Sequence, residues 1–365
     1  MRTRKDISGC VQPHIAKLHG YTPGFQPKEG GWAKLNTNES PYPPSPKVDL
    51  AIQAAMGESL RLYPDPRSWV LREEVAKLHG LDASNVIVGN GSDDVLNLLI
   101  RAYSESGTNV AYPKLSYSLY PVLCAIQNST VEEIAVDRSM NLPFDAIAQS
   151  KANLLLLTTP NAPTGIGYSR SDLERVLELF DGLVVFDEAY ADFAEENAVE
   201  LLASHSNVVI TRTLSKSYGL AGIRVGYALA DGEVIDVLDR VRDSYNVNRL
   251  SQAAGLAAVS DQSYLKATVG KVKRTRDFYS DEFVKLGWFT YDSQSNFIFT
   301  EPVDSSGRKG PEVAQDLFEF LKSRKILVRY FGGHALTDSF LRISVGSEDQ
   351  MLLLSETIEQ WTNKE

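Results

Sequence analysis

Short apolar runs recur through the middle of this chain: Val86-Ile87-Val88, Asn109-Val110-Ala111-Tyr112, Leu154-Leu155-Leu156-Leu157, Leu183-Val184-Val185-Phe186, Val208-Val209-Ile210 and Arg224-Val225-Gly226-Tyr227. Each is apolar without alternation, which is how strands covered on both faces read. Residues 94–103 and 172–180, standing between runs, carry helical spacing instead. That order predicts βαβ crossovers, hence an α/β fold of three layers with a mainly parallel sheet. After about residue 245 the pattern changes. A long charged helix over 266–286, strands over 296–300, 326–329 and 341–344, and a helix over 313–323 predict a small α+β domain. The first residues are broken by Pro and Gly, so they read as an arm wrapped on the rest. The expected division is an arm over 1–44, a large domain over 45–245 and a small one over 246–365.

At 365 residues and 43% hydrophobic, the chain is long enough for two such cores. Its 37 basic and 47 acidic residues leave a net charge of −10. Non-specific attraction to nucleic acid or anionic membranes is therefore disfavoured, and any anion site must come from local arginine placement. No apolar run is long enough to span a bilayer, and the start, Met1-Arg2-Thr3-Arg4, leads into no apolar signal segment. Two cysteines and five histidines without ligand spacing predict neither a disulfide framework nor a metal site. A reducing cytoplasm is the expected home.

Chemistry concentrates just after the apolar runs, where open α/β sheets bind ligands. Lys216 follows Val208-Val209-Ile210, with hydroxyls on Thr213 and Ser215 and a guanidinium at Arg224. Hydroxyls beside an arginine make a phosphate cradle. An amine beside such a cradle suits covalent attachment to pyridoxal phosphate. Asp187 ends another run, with Tyr190 three residues on. A carboxylate there would keep the cofactor's pyridine nitrogen protonated and a phenol would bond its 3-oxygen; the plainer alternative is a helix-capping Asp and a packed Tyr. Gly89-Asn90-Gly91-Ser92-Asp93-Asp94 is either a phosphate-binding loop opening a helix or a simple helix cap.

The segment Thr213-Leu214-Ser215-Lys216 through Gly226-Tyr227 resembles the lysine segment of fold-type-I pyridoxal-phosphate aminotransferases. With Asn38-Glu39-Ser40-Pro41, Tyr63-Pro64-Asp65-Pro66, the Asp187 segment, Tyr245-Asn246-Val247-Asn248 and Phe340-Leu341-Arg342-Ile343-Ser344, the chain is similar to the histidinol-phosphate aminotransferase family over nearly its whole length. The resemblance implies transamination between histidinol phosphate and 2-oxoglutarate, in a homodimer with shared active sites. It implies that Gly91, Ser92 and Asp93 lie at the cofactor phosphate, that Tyr117 stacks on the cofactor ring with Tyr120 as a core neighbour, and that Tyr63 reaches the partner's cofactor phosphate. Tyr21, Asn38, Arg329 and Arg342 fall to the substrate. Arg342 would grip a carboxylate through paired hydrogen bonds, and Arg329 would be a second anion contact or an exposed strand-end residue. The family's Asn-Pro-Thr-Gly turn appears here as Asn161-Ala162-Pro163-Thr164-Gly165, so Asn161 takes the asparagine's role only if the loop shifts by one position. The competing readings are an aromatic or broad aminotransferase, a threonine-phosphate decarboxylase on the same scaffold, a non-catalytic cofactor-binding regulator, and a dinucleotide dehydrogenase resting on the glycine loop alone.

Overall fold

In the computed structural model, which describes residues 8–363, helix α1 (Pro13–Ala16), strand β1 (Ala33–Lys34) and helices α2 (Pro46–Ala55) and α3 (Trp69–His79) come first. The alternating part follows: β2 (Val86–Gly89), α4 (Ser92–Tyr103), β3 (Asn109–Pro113), α5 (Tyr120–Ile126), β4 (Thr130–Ile134), α6 (Phe144–Gln149), β5 (Leu154–Thr158), α7 (Arg170–Leu179), β6 (Leu183–Asp187) and β7 (Val208–Thr213). Strand β8 (Gly226–Ala230) and helices α8 (Gly232–Val241), α9 (Arg249–Val259) and α10 (Gln262–Lys285) come next. The chain closes with β9 (Phe289–Thr290), β10 (Phe297–Glu301), α11 (Pro311–Ser323), β11 (Ile326–Leu327), β12 (Arg329–Tyr330), β13 (Leu341–Ser344) and α12 (Glu348–Thr362). The opening residues of the expected arm, 1–7, lie outside the described residues.

The six apolar runs, joined by β4, which sequence reading missed, build one seven-stranded sheet in the order β2-β8-β7-β6-β5-β3-β4. It is mainly parallel; β8 alone runs against both its neighbours. Strict alternation along β5, β6 and β7 sends Leu156, Val185 and Val209 toward α4, α5 and α8, and Leu157, Phe186 and Ile210 toward α3, α7 and α9. Helices therefore cover both faces, and the three expected layers are present. Each fully buried leucine in α4, such as Leu96 or Leu99, contributes about 2 kcal/mol through its removal from water. The same alternation, carried past the apolar residues, decides which polar side chains reach the site.

A second, antiparallel sheet has the order β12-β13-β10-β9 and is covered by α11 and α12 through Leu317, Leu321, Met351 and Leu354. The strand expected over 326–329 is split. Its first half, β11, pairs in parallel with β1, whereas its second half, β12, pairs with β13. The long helix starts earlier than its charge pattern indicates, at Gln262. Its first turns pack on the large sheet's core through Leu265, Val269 and Val272, and its last turns on the small sheet's core through Tyr279 and Phe283. Among the described residues no helix is long and apolar enough to cross a membrane.

Candidate active site

Thr158, Asp187 and Thr211 are register partners at the carboxyl ends of β5, β6 and β7. Alternation turns all three toward α5, whose first residue is Tyr120. Its hydroxyl donates to Asp187 Oδ2 at 2.8 Å and lies 2.8 Å from Thr158 Oγ1, and Thr211 Oγ1 donates to Asp187 Oδ1 at 3.0 Å. Burial pushes the Asp187 carboxyl up to about 6, against the lowering effect of the bonds from Tyr120 and Thr211. A cationic N–H donor brought against this carboxylate would hold it ionised.

Lys216 stands in the loop after β7. Its Nζ lies 3.5 Å from the Thr37 carbonyl and 5.8 Å from the centroid of the Tyr190 ring. Thr213 Oγ1 donates to Ser215 Oγ at 3.0 Å, and Arg224 Nη1 reaches the same oxygen at 3.2 Å. Arg224 Nη2 pairs with Asp93 Oδ2 at 3.2 Å while Tyr117 donates to Asp93 Oδ1 at 3.1 Å. Arg224 itself sits in the left-handed region at φ 58°, which directs it back over the start of α4. Gly91 makes that approach possible: its φ is 89°, and a Cβ there would fall 2.5 Å from Arg224 Nη2. Ser92, Asp93, Tyr117, Asp187, Lys216 and Arg224 thus face one cavity.

That cavity opens into a larger one of about 530 Å³, and Tyr117, Tyr190, Ala162 and Lys216 line both. Tyr21, Asn38, Arg329 and Arg342 line the outer part. The Tyr21 ring meets that of Tyr117 edge-on at 6.4 Å. Asn38 Nδ2 donates to the Tyr190 hydroxyl at 2.9 Å, and Asn38 is itself fixed by Ser344 and Asn296. Arg329 and Arg342 are direct partners across β12 and β13. Arg342 Nη2 donates to the Asn36 carbonyl, its Nε is buried with no partner, and both guanidiniums lie over the Phe331 ring. Neither meets a carboxylate among the described residues. Burial pulls the Arg342 guanidinium below its usual value, and Arg329 adds to the effect. Two like charges directly opposite one another are unfavourable, and an anion between them would relieve the repulsion.

Three expected residues do not line the cavity: Gly91, which lies behind it against the Arg224 guanidinium, Asn161 and Tyr63. Asn161 is turned away: its Nδ2 donates to the Leu115 carbonyl at 3.0 Å and its Oδ1 accepts from Thr164 Oγ1 at 2.8 Å, so its amide closes the turn, while Ala162 forms the wall. The loop does not shift by one position, and the asparagine role is withdrawn. Tyr63 is 77% exposed and stacks on Tyr245 at 4.4 Å, away from its own chain's cavity. Sequence reading missed Tyr120 as a partner of Asp187, along with Thr158, Thr211, Asn36 and Ser344. The strand-end rule applied to β5 and β7 finds the two threonines; no sequence signal marks Tyr120 or Ser344.

The sequence profile described as Aminotransferase class I and II matches residues 31–358. A histidinol-phosphate aminotransferase of Syntrophotalea carbinolica is 46% identical over 342 residues, covering 93% of this chain and 96% of that one. One of Geotalea daltonii is 45% identical, covering 93% and 96%. The crystal structure of histidinol-phosphate aminotransferase from Sinorhizobium meliloti in complex with pyridoxal-5'-phosphate superposes with a TM-score of 0.86 at 28% identity, covering 96% of this chain and 98% of that one. An aspartate aminotransferase from Thermotoga maritima, at 22% identity and a TM-score of 0.78, shares the fold. These likenesses, which run along nearly the full length, show that the chain belongs to the class I and II aminotransferases and, within them, to the histidinol-phosphate aminotransferase family.

Proposed function

We propose that this chain binds pyridoxal phosphate through Lys216 and transaminates histidinol phosphate with 2-oxoglutarate, giving imidazole-acetol phosphate and glutamate. The observation that carries the substrate assignment is the Arg329–Arg342 pair, two guanidiniums without carboxylate partners among the described residues, on the wall of the cavity that holds Lys216. Histidinol phosphate carries a phosphate and no carboxylate, whereas glutamate carries carboxylates. Two adjoining arginines serve both anions in turn.

The donor set suits the cofactor. Ser92 at the amino end of α4, Thr213, Ser215 and Arg224 offer hydroxyls, a helix terminus and a guanidinium to a phosphate. A Cβ at Gly91 would fill the place where Arg224 approaches. Asp93 would repel a phosphate; its part is to hold Arg224 and Tyr117 in place through its two oxygens. Bound there, pyridoxal phosphate supplies an electron sink for the charge left when a proton leaves the substrate's α-carbon. Asp187 would hold a proton on the ring nitrogen, its carboxylate's direction fixed by Tyr120 and Thr211. Tyr190, its hydroxyl oriented by Asn38, would donate toward the 3-oxygen, and Tyr117 would cover the ring face. Lys216 Nζ, freed when the substrate's amine takes its place on the cofactor, would take the α-proton and deliver it to the carbon that had carried Nζ; the amino group stays behind as the first product leaves, which predicts ping-pong kinetics.

The exposed Tyr63, stacked on Tyr245 beside exposed Leu60, Leu62 and Val70, supports a homodimer in which Tyr63 completes the partner's phosphate site. The same reading takes residues 1–44 as an arm, 45–245 as the cofactor-binding domain and 246–365 as the smaller one, with α10 bridging the two cores, in an enzyme working in the cytoplasm. The test is a panel of histidinol phosphate, histidine, phenylalanine and threonine phosphate, each with 2-oxoglutarate and the cofactor. A kcat/KM for histidinol phosphate about a hundredfold above the others is expected. A preference for phenylalanine, or carbon dioxide released from threonine phosphate without 2-oxoglutarate, would replace the substrate assignment.

A further inference from the structure

The alternation that turns Asp187, Thr211 and Thr213 toward the site sends Glu188 and Arg212 to the opposite face of the sheet. There the Arg212 Nε donates to Glu188 Oε2 at 2.8 Å and its Nη2 to the same oxygen at 2.6 Å, with both side chains nearly inaccessible. Arg212 Nη1 also reaches Asp192 Oδ1 at 3.4 Å. The other oxygen of Asp192 accepts a short bond from the Ser217 hydroxyl. Glu188 Oε1 takes the Ala198 amide at 2.7 Å, pinning the far end of the loop that carries Tyr190. A continuous polar path therefore runs from the loop after β6, through Arg212, to the residue next to Lys216.

A buried ion pair is a poor way to gain stability, since apolar residues of the same volume usually do as well. What this one does is geometric. Asp187 ends β6, Tyr190 sits on the loop after it and Lys216 on the loop after β7, and the Lys216 amine is held by a 3.5 Å contact with the Thr37 carbonyl and by the Tyr190 ring at 5.8 Å. We infer that Arg212, Asp192 and Ser217 are positioning residues: they brace the two loops from behind the sheet and set where the Lys216 amine stands relative to Asp187 and Tyr190. The inference deepens the function proposed above and rests on Lys216 being the cofactor-bearing amine.

The experiment uses the enzyme loaded with pyridoxal phosphate. Ser217→Ala removes the bond to Asp192, and Asp192→Asn removes the charge that draws both Ser217 and Arg212; both leave the Arg212–Glu188 pair in place, so folding is retained, with a thermal midpoint within about 2 °C of wild type. Each is expected to lower kcat about tenfold with KM changed less than about twofold. Each is also expected to shift the pH midpoint of the visible absorption of the lysine-bound cofactor. Because Ser217 acts through Asp192, the double variant should be no worse than Asp192→Asn alone. Wild-type kcat and absorption in both single variants, or losses that multiply in the double one, overturn the inference. A wild-type protein that shows no lysine-bound absorption with pyridoxal phosphate is a separate result: it removes the reading of Lys216, and the inference falls with it.

Discussion

At the scale of single residues, Asp187 is the group whose environment does most. In the cofactor-free protein its carboxyl is raised from 3.8 to about 6 by burial. Between those values the folded chain keeps a proton that the unfolded chain has lost. The stability this gives is complete below about pH 4 and is lost as pH rises through about 6, an effect on the order of 3 kcal/mol. Urea midpoints of the apoprotein followed across that window should fall for wild type more than for Asp187→Asn; parallel curves would refute the shift. Tyr120→Phe removes a donor that favours the charged form, so the wild-type fall should move to higher pH. Lys216 and Asp187 stand out in the sequence because each is a charged group that follows an apolar run, whereas Arg342, inside the run Leu341-Arg342-Ile343, is marked only by the family resemblance. Tyr120 does not stand out: its sequence neighbourhood is that of a packed ring, and only the register of three strands brings its hydroxyl to Asp187. Asn161 misled because a turn with a proline on each side of Asn161-Ala162 leaves open which side chain faces inward.

At the scale of elements, strand β8 shows how a connection without a helix goes with a reversed strand. Residues 214–225, which separate β7 from β8, form no helix to carry the chain back across the sheet, and the chain returns antiparallel. The run at 224–227 gave the strand's existence and missed its sense, since a buried strand reads alike in both directions. Its first residue, Gly226, lies against the start of α4, where a Cβ would overlap the Ser92 amide nitrogen. Gly226→Ala should therefore push β8 from α4 at a cost of about 1–3 kcal/mol. It should also weaken pyridoxal phosphate binding, because the amino end of α4 moves. Denaturant midpoint and cofactor affinity both at wild-type values would show that the contact is not limiting. The division of 326–329 between two sheets was equally hidden: four consecutive residues carry no sign that their halves pair with β1 and β13.

At the scale of the whole molecule, the fold class was legible because six buried runs and the helices between them leave few other topologies, while the proposed association of chains rests on the resemblance and the exposed Tyr63. Mixing settles that association. Chains carrying Tyr63→Ala and chains carrying Lys216→Ala should each be impaired, by orders of magnitude for the lysine variant. Unfolded together and refolded as mixed dimers, they should regain up to about a quarter of wild-type activity, since half the dimers are hybrid and one of the two sites in each is intact. No regain would mean that Tyr63 serves its own chain or none. One further consequence follows from how the early residues are stitched in. Ala33 and Lys34 pair with β11, Asn36 takes the Arg342 guanidinium on its carbonyl, Thr37 faces Lys216, and Asn38 joins Tyr190 to Ser344. This stretch is a seam, so a chain cut past residue 21 should already lose the Tyr21 wall of the cavity, and one cut into the seam should lose both anchorage of the arginine and orientation of the phenol as well.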